Sequence, residues 1–272
     1  MISLLAVSDA RSWFFLKDII EKEKPDITIF CGDIVDDGVA KFWQPSWEII
    51  QKIIKENKLK SYSILSDYDL IHEKYFKSKE FVKARRAHVK ELYDALELAS
   101  KKSKQVLVIK GNHDDEFSGA YNLRKIEHIK NCSEISGKLF SFKGIRFLGL
   151  SYKNCHYLTE LRSLLGTSKP HIIISHPEKN RWKDIAEYGP DLVIHGHHSF
   201  GFHKVGGVNF LGTGCFPSYS IVKIDEKSKL IKEIKHFRAI PAKEKHNISK
   251  GFVAFNSATI VEKWILRTVK FD

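Results

Sequence analysis

The sequence predicts an α/β protein, because short apolar runs of strand length recur along its 272 residues and amphipathic helical patterns separate several of them. The first repeat of this pattern is the clearest. Residues 2–7 and 26–31 form two buried strands, and residues 12–24 between them place their apolar side chains on one helical face. A strand, a helix and a second strand joined by a short return form a right-handed βαβ unit.

Residue types that bind metal ions follow five of the apolar runs. They are Asp9, Asp33, Asn112, His176 and His197. Because open α/β sheets carry their sites at the carboxyl ends of the strands, we expect these side chains to converge. Taken alone, the stretch Gly-Asn-His-Asp is more typical of a turn with a solvated histidine than of a site, and the other strand ends favour a site. Carboxylate, amide and imidazole ligands suit Mn²⁺, Fe²⁺ or Zn²⁺, and this ligand set does not indicate a zinc centre with thiolate ligands.

The rest of the chain continues the alternation of strands and helices. The patterns predict helices at 122–130, 157–165 and 182–188, hairpins at 139–150 and 202–208, and strands at 106–109, 171–174, 192–194 and 218–224. Residues 241–272 are predicted to be an appended element after a main domain at 1–240.

Residues 40–104 have a different composition and are predicted to form two or three helices inserted between the second and third strands. Lysines and aromatic residues alternate there. One interpretation packs the aromatic faces on the body and leaves the lysines in water. The other is a basic, aromatic lid over the site that stacks bases and holds phosphates.

Charge and composition bound the function. Lys and Arg number 45 against 33 Asp and Glu, giving a net charge of +12 and a pI near 9.3, which attracts polyanions. Mixed runs such as residues 21–24 also form solvated helix faces. We expect no membrane span and a cytoplasmic compartment, since no apolar run is long enough and the first residues do not form a secretory signal. The four cysteines show no metal-knuckle spacing and are predicted to be buried thiols.

The motifs resemble those of the calcineurin-like metallophosphoesterases. In chain order they are Gly-Asp-x-x-Asp from Gly32, Gly-Asn-His-Asp from Gly111, Ser-His-Pro from Ser175, Gly-His from Gly196, and Gly-Thr-Gly followed by Pro-Ser-Tyr-Ser from Gly212. The sequence is most similar to small prokaryotic phosphodiesterases and to the exonuclease subunit of double-strand-break repair. The resemblance covers residues 1–38 and 105–225. It implies a four-layer α/β/β/α sandwich of two mixed β-sheets with a helical insertion.

The resemblance also implies a pair of metals that clamp a phosphoryl group. Asp33 would bridge them, and Asn112, His176 and His197 would complete the second metal site. We therefore expect a divalent metal, with Mn²⁺ favoured and Fe²⁺, Zn²⁺ or Ni²⁺ as alternatives.

The first metal site departs from the family pattern. The family's Asp-x-His is Asp9-Ala10-Arg11 here, and its final Gly-His-x-His ligand is Ser199. One tight metal is expected, with the other site weak or absent. Arg11 either pairs with Asp9 and grips a phosphate oxygen or serves as a salt-bridge plug.

His113 would face the phosphate and donate a proton to it, oriented by Asp36. Without His113, a turn cap would be the default role for Asp36. The expected function is metal-dependent hydrolysis of a phosphodiester in a nucleotide or nucleic acid by metal-activated water, as in a nuclease. The alternatives are a phosphomonoesterase and a pseudoenzyme that keeps one metal and binds nucleic acid or a protein. The presence of both His113 and Asp36 favours an active enzyme over a pseudoenzyme, because an inactive site needs neither residue.

Overall fold

The structure is a computed structural model that describes residues 1–9, 13–34, 47–58, 74, 77–112, 114, 123–177, 179–197, 200–214, 216–241 and 261–271. The strands are β1 (Ile2–Val7), β2 (Ile27–Cys31), β3 (Gln105–Ile109), β4 (Cys132–Glu134), β5 (Leu139–Phe142), β6 (Ile145–Leu150), β7 (Ile172–Ser175), β8 (Leu192–His195), β9 (Phe200–Val205), β10 (Val208–Thr213), β11 (Tyr219–Ile224), β12 (Ile231–Pro241) and β13 (Val261–Lys270). The α-helices are α1 (Leu16–Glu23), α2 (Trp47–Asn57), α3 (Lys79–Lys102), α4 (Tyr152–His156), α5 (Leu158–Ser168) and α6 (Trp182–Ala186), with 3-10 helices at Leu123–His128 and Lys179–Arg181.

The strands form two mixed sheets. One has the order β13-β12-β11-β1-β2-β3-β4, in which β1 to β4 are parallel and β11, β12 and β13 are antiparallel to their neighbours. The other has the order β5-β6-β7-β8-β10-β9, in which β6, β7, β8 and β10 are parallel. Parallel strands with both faces covered are continuously apolar, which is why the strand predictions for β1, β2 and β7 were simple.

Three buried clusters define the layers. The cluster between the sheets joins inward-facing residues of both, including Ile29, Leu107, Ile174 and Ile194. A second cluster covers the outer face of the first sheet with α1 and the later half of α3, and a third covers the outer face of the second sheet with α5 and α6. The predicted α/β/β/α sandwich of two mixed sheets is therefore confirmed.

Helix α3 shows how the sequence pattern produces the outer layer. Leu92, Leu96 and Ala99 follow each other at spacings of four and three, so they share one face and are buried against the first sheet. The remaining side of the helix carries exposed charges such as the Lys90 to Asp94 ion pair at 2.7 Å. The described part of residues 40–104 thus contains α2 and α3.

Several elements differ from the sequence predictions in detail. The predicted helix at 122–130 is a 3-10 helix at Leu123–His128 in the described residues. Strands β4 and β12 and helix α4 were not predicted. The segment 241–272 contributes β13, which pairs with β12 as the edge strand of the larger sheet. The domain boundary at 241 stays a prediction.

The structure also bears on the predictions about the cysteines and about membrane spans. Cys31, Cys132 and Cys155 are free and buried, as predicted, and Cys215 lies outside the described residues. Among the helices that the structure describes, none combines the length and apolarity needed to cross a membrane.

Candidate metal centre

The ends of five strands meet at one edge of the sandwich. Neighbouring parallel strands β1, β2 and β3 end just before Asp9, Asp33 and Asn112 in the first sheet. The parallel neighbours β7 and β8 end just before His176 and His197 in the second. The structure therefore places all five predicted metal-ligand residues at the carboxyl edge of their sheets.

Three of these residues offer ligand atoms that converge. In the described residues, one ligand atom from each of Asp33, His176 and His197 lies within 4.8 Å of the others. The Nε2 atom of His176 is 3.2 Å from Oδ2 of Asp33 and 3.2 Å from Oδ1 of Asn112. Three side chains thus converge, and the amide oxygen of Asn112 approaches the same His176 nitrogen as the carboxylate of Asp33 does.

The hydrogen bonds of His176 show that this point suits a cation. Its Nδ1 donates to the carbonyl oxygen of Cys31 at 2.8 Å, so in the neutral ring Nε2 carries a lone pair. That lone pair faces the oxygens of Asp33 and Asn112, which is repulsive unless a positive charge lies between them. A carbonyl that fixes the imidazole tautomer in this way is typical of metal-binding histidines.

The pKa of His176 reflects the same electrostatics. Burial by itself lowers this pKa, but the carboxylate of Asp33, helped by Asp9 and the Cys31 carbonyl, outweighs burial and raises the pKa to about 10. The buried carboxylates thus demand positive charge at this position. The donor set fits a divalent ion of the Mn²⁺, Fe²⁺ or Zn²⁺ type, which would replace the proton.

The ligand-bearing loops approach each other so closely that glycine is required. A Cβ atom on Gly196 would lie 2.5 Å from the carbonyl oxygen of Cys31 and 2.8 Å from Nδ1 of His176. A Cβ atom on Gly32 would lie 2.8 Å from the backbone nitrogen of Gly111. These motif glycines therefore let the strand ends of both sheets pack against the His176 ring.

Three of the predicted ligands hold unusual backbone conformations. The φ angles of Asp9, Asp33 and His197 are 52°, 48° and 76°, in the left-handed region that non-glycine residues seldom occupy. Each such residue costs roughly 1–3 kcal/mol, and such residues cluster at functional sites. The turns aim these side chains at the site.

Asp114 is a site residue that the sequence analysis did not single out. Its buried carboxylate accepts hydrogen bonds through Oδ2 from the backbone nitrogens of Gly111 at 2.7 Å and Ile34 at 3.3 Å. It thereby joins the turn that carries Asp33 to the turn that carries Asn112. Burial, and then the charge of Asp33, raise the pKa of Asp114 to about 6. The signal for it was present, since Asp side chains in turns can accept hydrogen bonds from backbone N–H groups three residues earlier in the chain.

Asp9 lies beside this ligand set and is tied to it through the backbone. Its Oδ2 accepts hydrogen bonds from the hydroxyl of Ser8 and from the backbone nitrogen of His197, the latter at 3.1 Å. The hydroxyl of Ser8 also contacts Oγ1 of Thr213 at 2.6 Å. Burial raises the pKa of Asp9 to about 7. Asp9 thus lies next to the converging ligands and holds His197 in place.

Four residues of interest fall outside the described part of the chain. They are Arg11, Asp36, His113 and Ser199. The roles assigned to them, and the roles of the individual ligands, stay predictions.

Comparison with known proteins identifies the family. The model of the calcineurin-like phosphoesterases matches residues 8–223. The chain therefore belongs to the calcineurin-like phosphoesterase family, whose members bind divalent metals. This agrees with the resemblance carried by the motifs and with the converging ligands.

Solved structures share the fold at low sequence identity. One crystal structure aligns with a TM-score of 0.52 and 15% identity over 85% of this chain and 97% of its own. Another, of TT1561 of Thermus thermophilus, aligns with a TM-score of 0.49 and 12% identity over the same shares. At such identity the first likeness concerns the fold alone, and the second is too distant to add to it. No curated protein matches the sequence.

Proposed function

We propose that this protein is a metal-dependent phosphodiesterase that hydrolyses a nucleotide or nucleic acid substrate. The observation that carries the proposal is the convergence of Asp33, Asn112, His176 and His197 on one point that demands positive charge. Membership of the phosphoesterase family makes metal-dependent phosphoester hydrolysis the natural use of such a point.

Different residues would bind the metal and donate the proton. Asp33, Asn112, His176 and His197 would hold one divalent ion, with Mn²⁺ as the proposed metal. When bound, that ion supplies Lewis-acid polarisation of a phosphate oxygen and lowers the pKa of water. His113 would donate a proton to a phosphate or leaving-group oxygen.

Arg11 and Asp9 would serve the side of the site where the family binds its other metal. The guanidinium of Arg11 is permanently charged and presents a fork of donors that matches a phosphate. The guanidinium would neutralise negative charge that develops on the phosphate, and Asp9 would position the guanidinium. Arg11 cannot act as a base, so generating the nucleophile remains with the single metal site.

The preference for a diester rests on charge. A net charge of +12 favours polyanionic partners, and a substrate that extends on both sides of the phosphate makes fuller use of it than a small monoester does. We therefore propose phosphodiesters as the substrate class.

A metal-screened assay tests the proposal directly. The protein is dialysed against chelator, reloaded with Mn²⁺, Fe²⁺, Zn²⁺ or Ni²⁺, and given bis-p-nitrophenyl phosphate or p-nitrophenyl phosphate. We expect faster release of p-nitrophenol from the diester with Mn²⁺. A higher kcat/KM on the monoester would instead support a phosphomonoesterase. Metal binding without hydrolysis of either ester would support the pseudoenzyme that the changes at Arg11 and Ser199 suggest.

A further inference from the structure

A row of aromatic rings extends from His197 to the protein surface. The ring centroid of Tyr152 lies 5.5 Å from that of His197, the His156 ring lies 6.1 Å from that of Tyr152, and the Tyr157 ring lies 5.1 Å from that of His156. We call Tyr152, His156 and Tyr157 the aromatic strip. It begins in contact with a predicted metal ligand and ends in solvent.

The backbone fixes the inner end of the strip against the metal centre. Helix α4 starts directly after β6, and the backbone nitrogen of Tyr152 donates to the carbonyl oxygen of Lys110 at 3.1 Å, just before the Gly-Asn-His-Asp turn. Ser151 caps the helix in a capping box with Asn154. The ring of Tyr152 is therefore held beside the turn that carries Asn112.

The outer end of the strip is held in place by Arg181. The guanidinium of Arg181 donates to the carbonyl oxygen of His156 at 3.0 Å, which ties the end of α4 to the 3-10 helix at Lys179–Arg181. Lys153 follows Tyr152 on α4 and is exposed. The Arg181 guanidinium also lies 3.7 Å from the carboxylate of Asp184, so the basic groups near the strip are a paired guanidinium and an exposed lysine.

The two outer rings of the strip are exposed to solvent. Tyr152 is half-buried, His156 is exposed, and 56% of Tyr157 is exposed. His156 and Tyr157 meet edge to face at 89°, so they do not cover each other's faces by stacking. Exposing large rings to water is unfavourable, and aromatic side chains beside cations are the groups that stack nucleic-acid bases.

We propose that the aromatic strip binds the nucleobase adjacent to the phosphate held at the metal centre. This inference rests on the proposed phosphodiesterase function and narrows its substrate class to nucleoside phosphodiesters. The row of rings begins at His197, so a base on the strip lies next to the phosphate to be cleaved. Stacking needs a ring face and no particular base, so the strip selects bases over alkyl groups without selecting a sequence.

Two esters with the same leaving group isolate the contribution of the base. They are thymidine 5′-(p-nitrophenyl phosphate) and methyl p-nitrophenyl phosphate, assayed with the metal-loaded protein. We expect Tyr157→Ala and Tyr152→Leu to raise KM for the thymidine ester about five- to tenfold, the lower part of the range for base stacking. Tyr157→Ala should leave the methyl ester nearly unchanged. Tyr152→Phe should behave as the parent, because stacking does not need the hydroxyl. Tyr188→Ala is the control, since Tyr188 is another partly exposed tyrosine, at 38%, outside the strip.

The effect of Tyr157→Ala separates base binding from support of the metal site, because the Tyr157 ring follows that of His156 and has no ring contact with His197 among the described pairs. An equal loss on both esters in Tyr152→Leu, with no effect of Tyr157→Ala, would overturn the proposal in favour of Tyr152 positioning His197. Unchanged KM for the thymidine ester in both variants would overturn it outright.

A binding experiment keeps the inference distinct from the proposed function. The parent protein and the Tyr157→Ala variant are titrated with fluorescent oligothymidylate and with an abasic strand of equal length, in chelator. We expect the parent to bind the thymidine strand more tightly than the abasic strand and the variant to lose that difference. If no ester is hydrolysed but this difference is found, base binding by the strip is supported and the proposed hydrolytic function is contradicted. If both strands bind equally to the parent, the strip does not bind bases.

Discussion

Nε2 of His176 lies 3.2 Å from Oδ2 of Asp33, although the two residues end strands of different sheets. This contact spans the interface of the sandwich. A cation bound there would hold the two sheets together at their functional edge. Metal affinity and the packing of the sheets should therefore depend on the same few atoms.

The first prediction is that each chain binds about one tight divalent metal ion. His176→Ala removes the imidazole that contacts both Asp33 and Asn112, so we expect the bound metal to be lost on dialysis. Elemental analysis after extended dialysis measures the stoichiometry. His128→Ala, a change at an exposed histidine, is the control and should keep the metal. Retention of two equivalents by the parent would contradict the expectation of one tight site.

Gly196→Ala should weaken metal binding by crowding the ligand loop. The added Cβ would lie 2.5 Å from the Cys31 carbonyl oxygen, which is backbone and cannot move away easily, and 2.8 Å from Nδ1 of His176. The imidazole would have to shift, and isothermal titration with Mn²⁺ should show a rise in Kd. Gly166→Ala is the matched control, because nothing lies near its Cβ within α5 and helix propensity predicts a gain of up to about 1 kcal/mol. Equal metal affinities in the two variants would show that the close approach is unimportant.

Asp114→Ala should destabilise the fold as well as the site. The change leaves the buried backbone N–H groups of Gly111 and Ile34 without their acceptor, at a cost of roughly 1–3 kcal/mol for each. The free energy of unfolding in urea measures the loss. Asp94→Ala, which breaks only the exposed pair with Lys90, should change that free energy by less than about 1 kcal/mol. A similar small change in both variants would mean that water satisfies the two N–H groups.

Arg11→Ala should lower kcat and leave the bound metal in place. The expected loss is roughly 10²–10³-fold if the guanidinium acts as one preorganised donor toward the phosphate. The double change Arg11→His with Ser199→His restores the family's ligand types and should recruit a second metal, detected by elemental analysis. Full activity of Arg11→Ala on bis-p-nitrophenyl phosphate would show that Arg11 is a structural plug.

His236 should make stability fall in mild acid. Burial, and then the nearby Arg267 and Arg238, lower its pKa from 6.5 to about 4, while its Nδ1 contacts the hydroxyl of Ser220 at 2.9 Å. Below pH 6.5 the unfolded chain binds a proton that the folded chain does not, so this contribution to stability is complete above pH 6.5 and is lost as the pH falls toward 4.

Urea unfolding of the parent and of His236→Gln at pH 7.5 and 5 measures the effect. The parent should lose roughly 2 kcal/mol more than the variant between these pH values, since other titrating groups are common to both. Equal losses would show that His236 does not change protonation on unfolding.

The local features of the sequence were enough to predict most of the strands and the edge at which the site lies. Buried parallel strands are continuous apolar runs, and the residues after them, such as Asp33 and His176, are placed by the strand ends themselves. The family motifs name the predicted ligands, and the structure places these residues at one edge of the two sheets. The five residues of α4 were too few to give a periodic signal, so that helix was not predicted.

By itself, then, the sequence determined the fold class, the end of the sheets at which the predicted ligands lie and the residue types available to bind a metal. Only the tertiary structure decided which atoms meet: the carbonyl of Cys31 with His176, the carboxylate of Asp114 with Ile34, and the ring of Tyr152 with His197. These partners are distant in sequence, so no local periodicity or spacing specifies their contacts. They depend on the packing of two sheets whose relative position is fixed only when the common core between them forms.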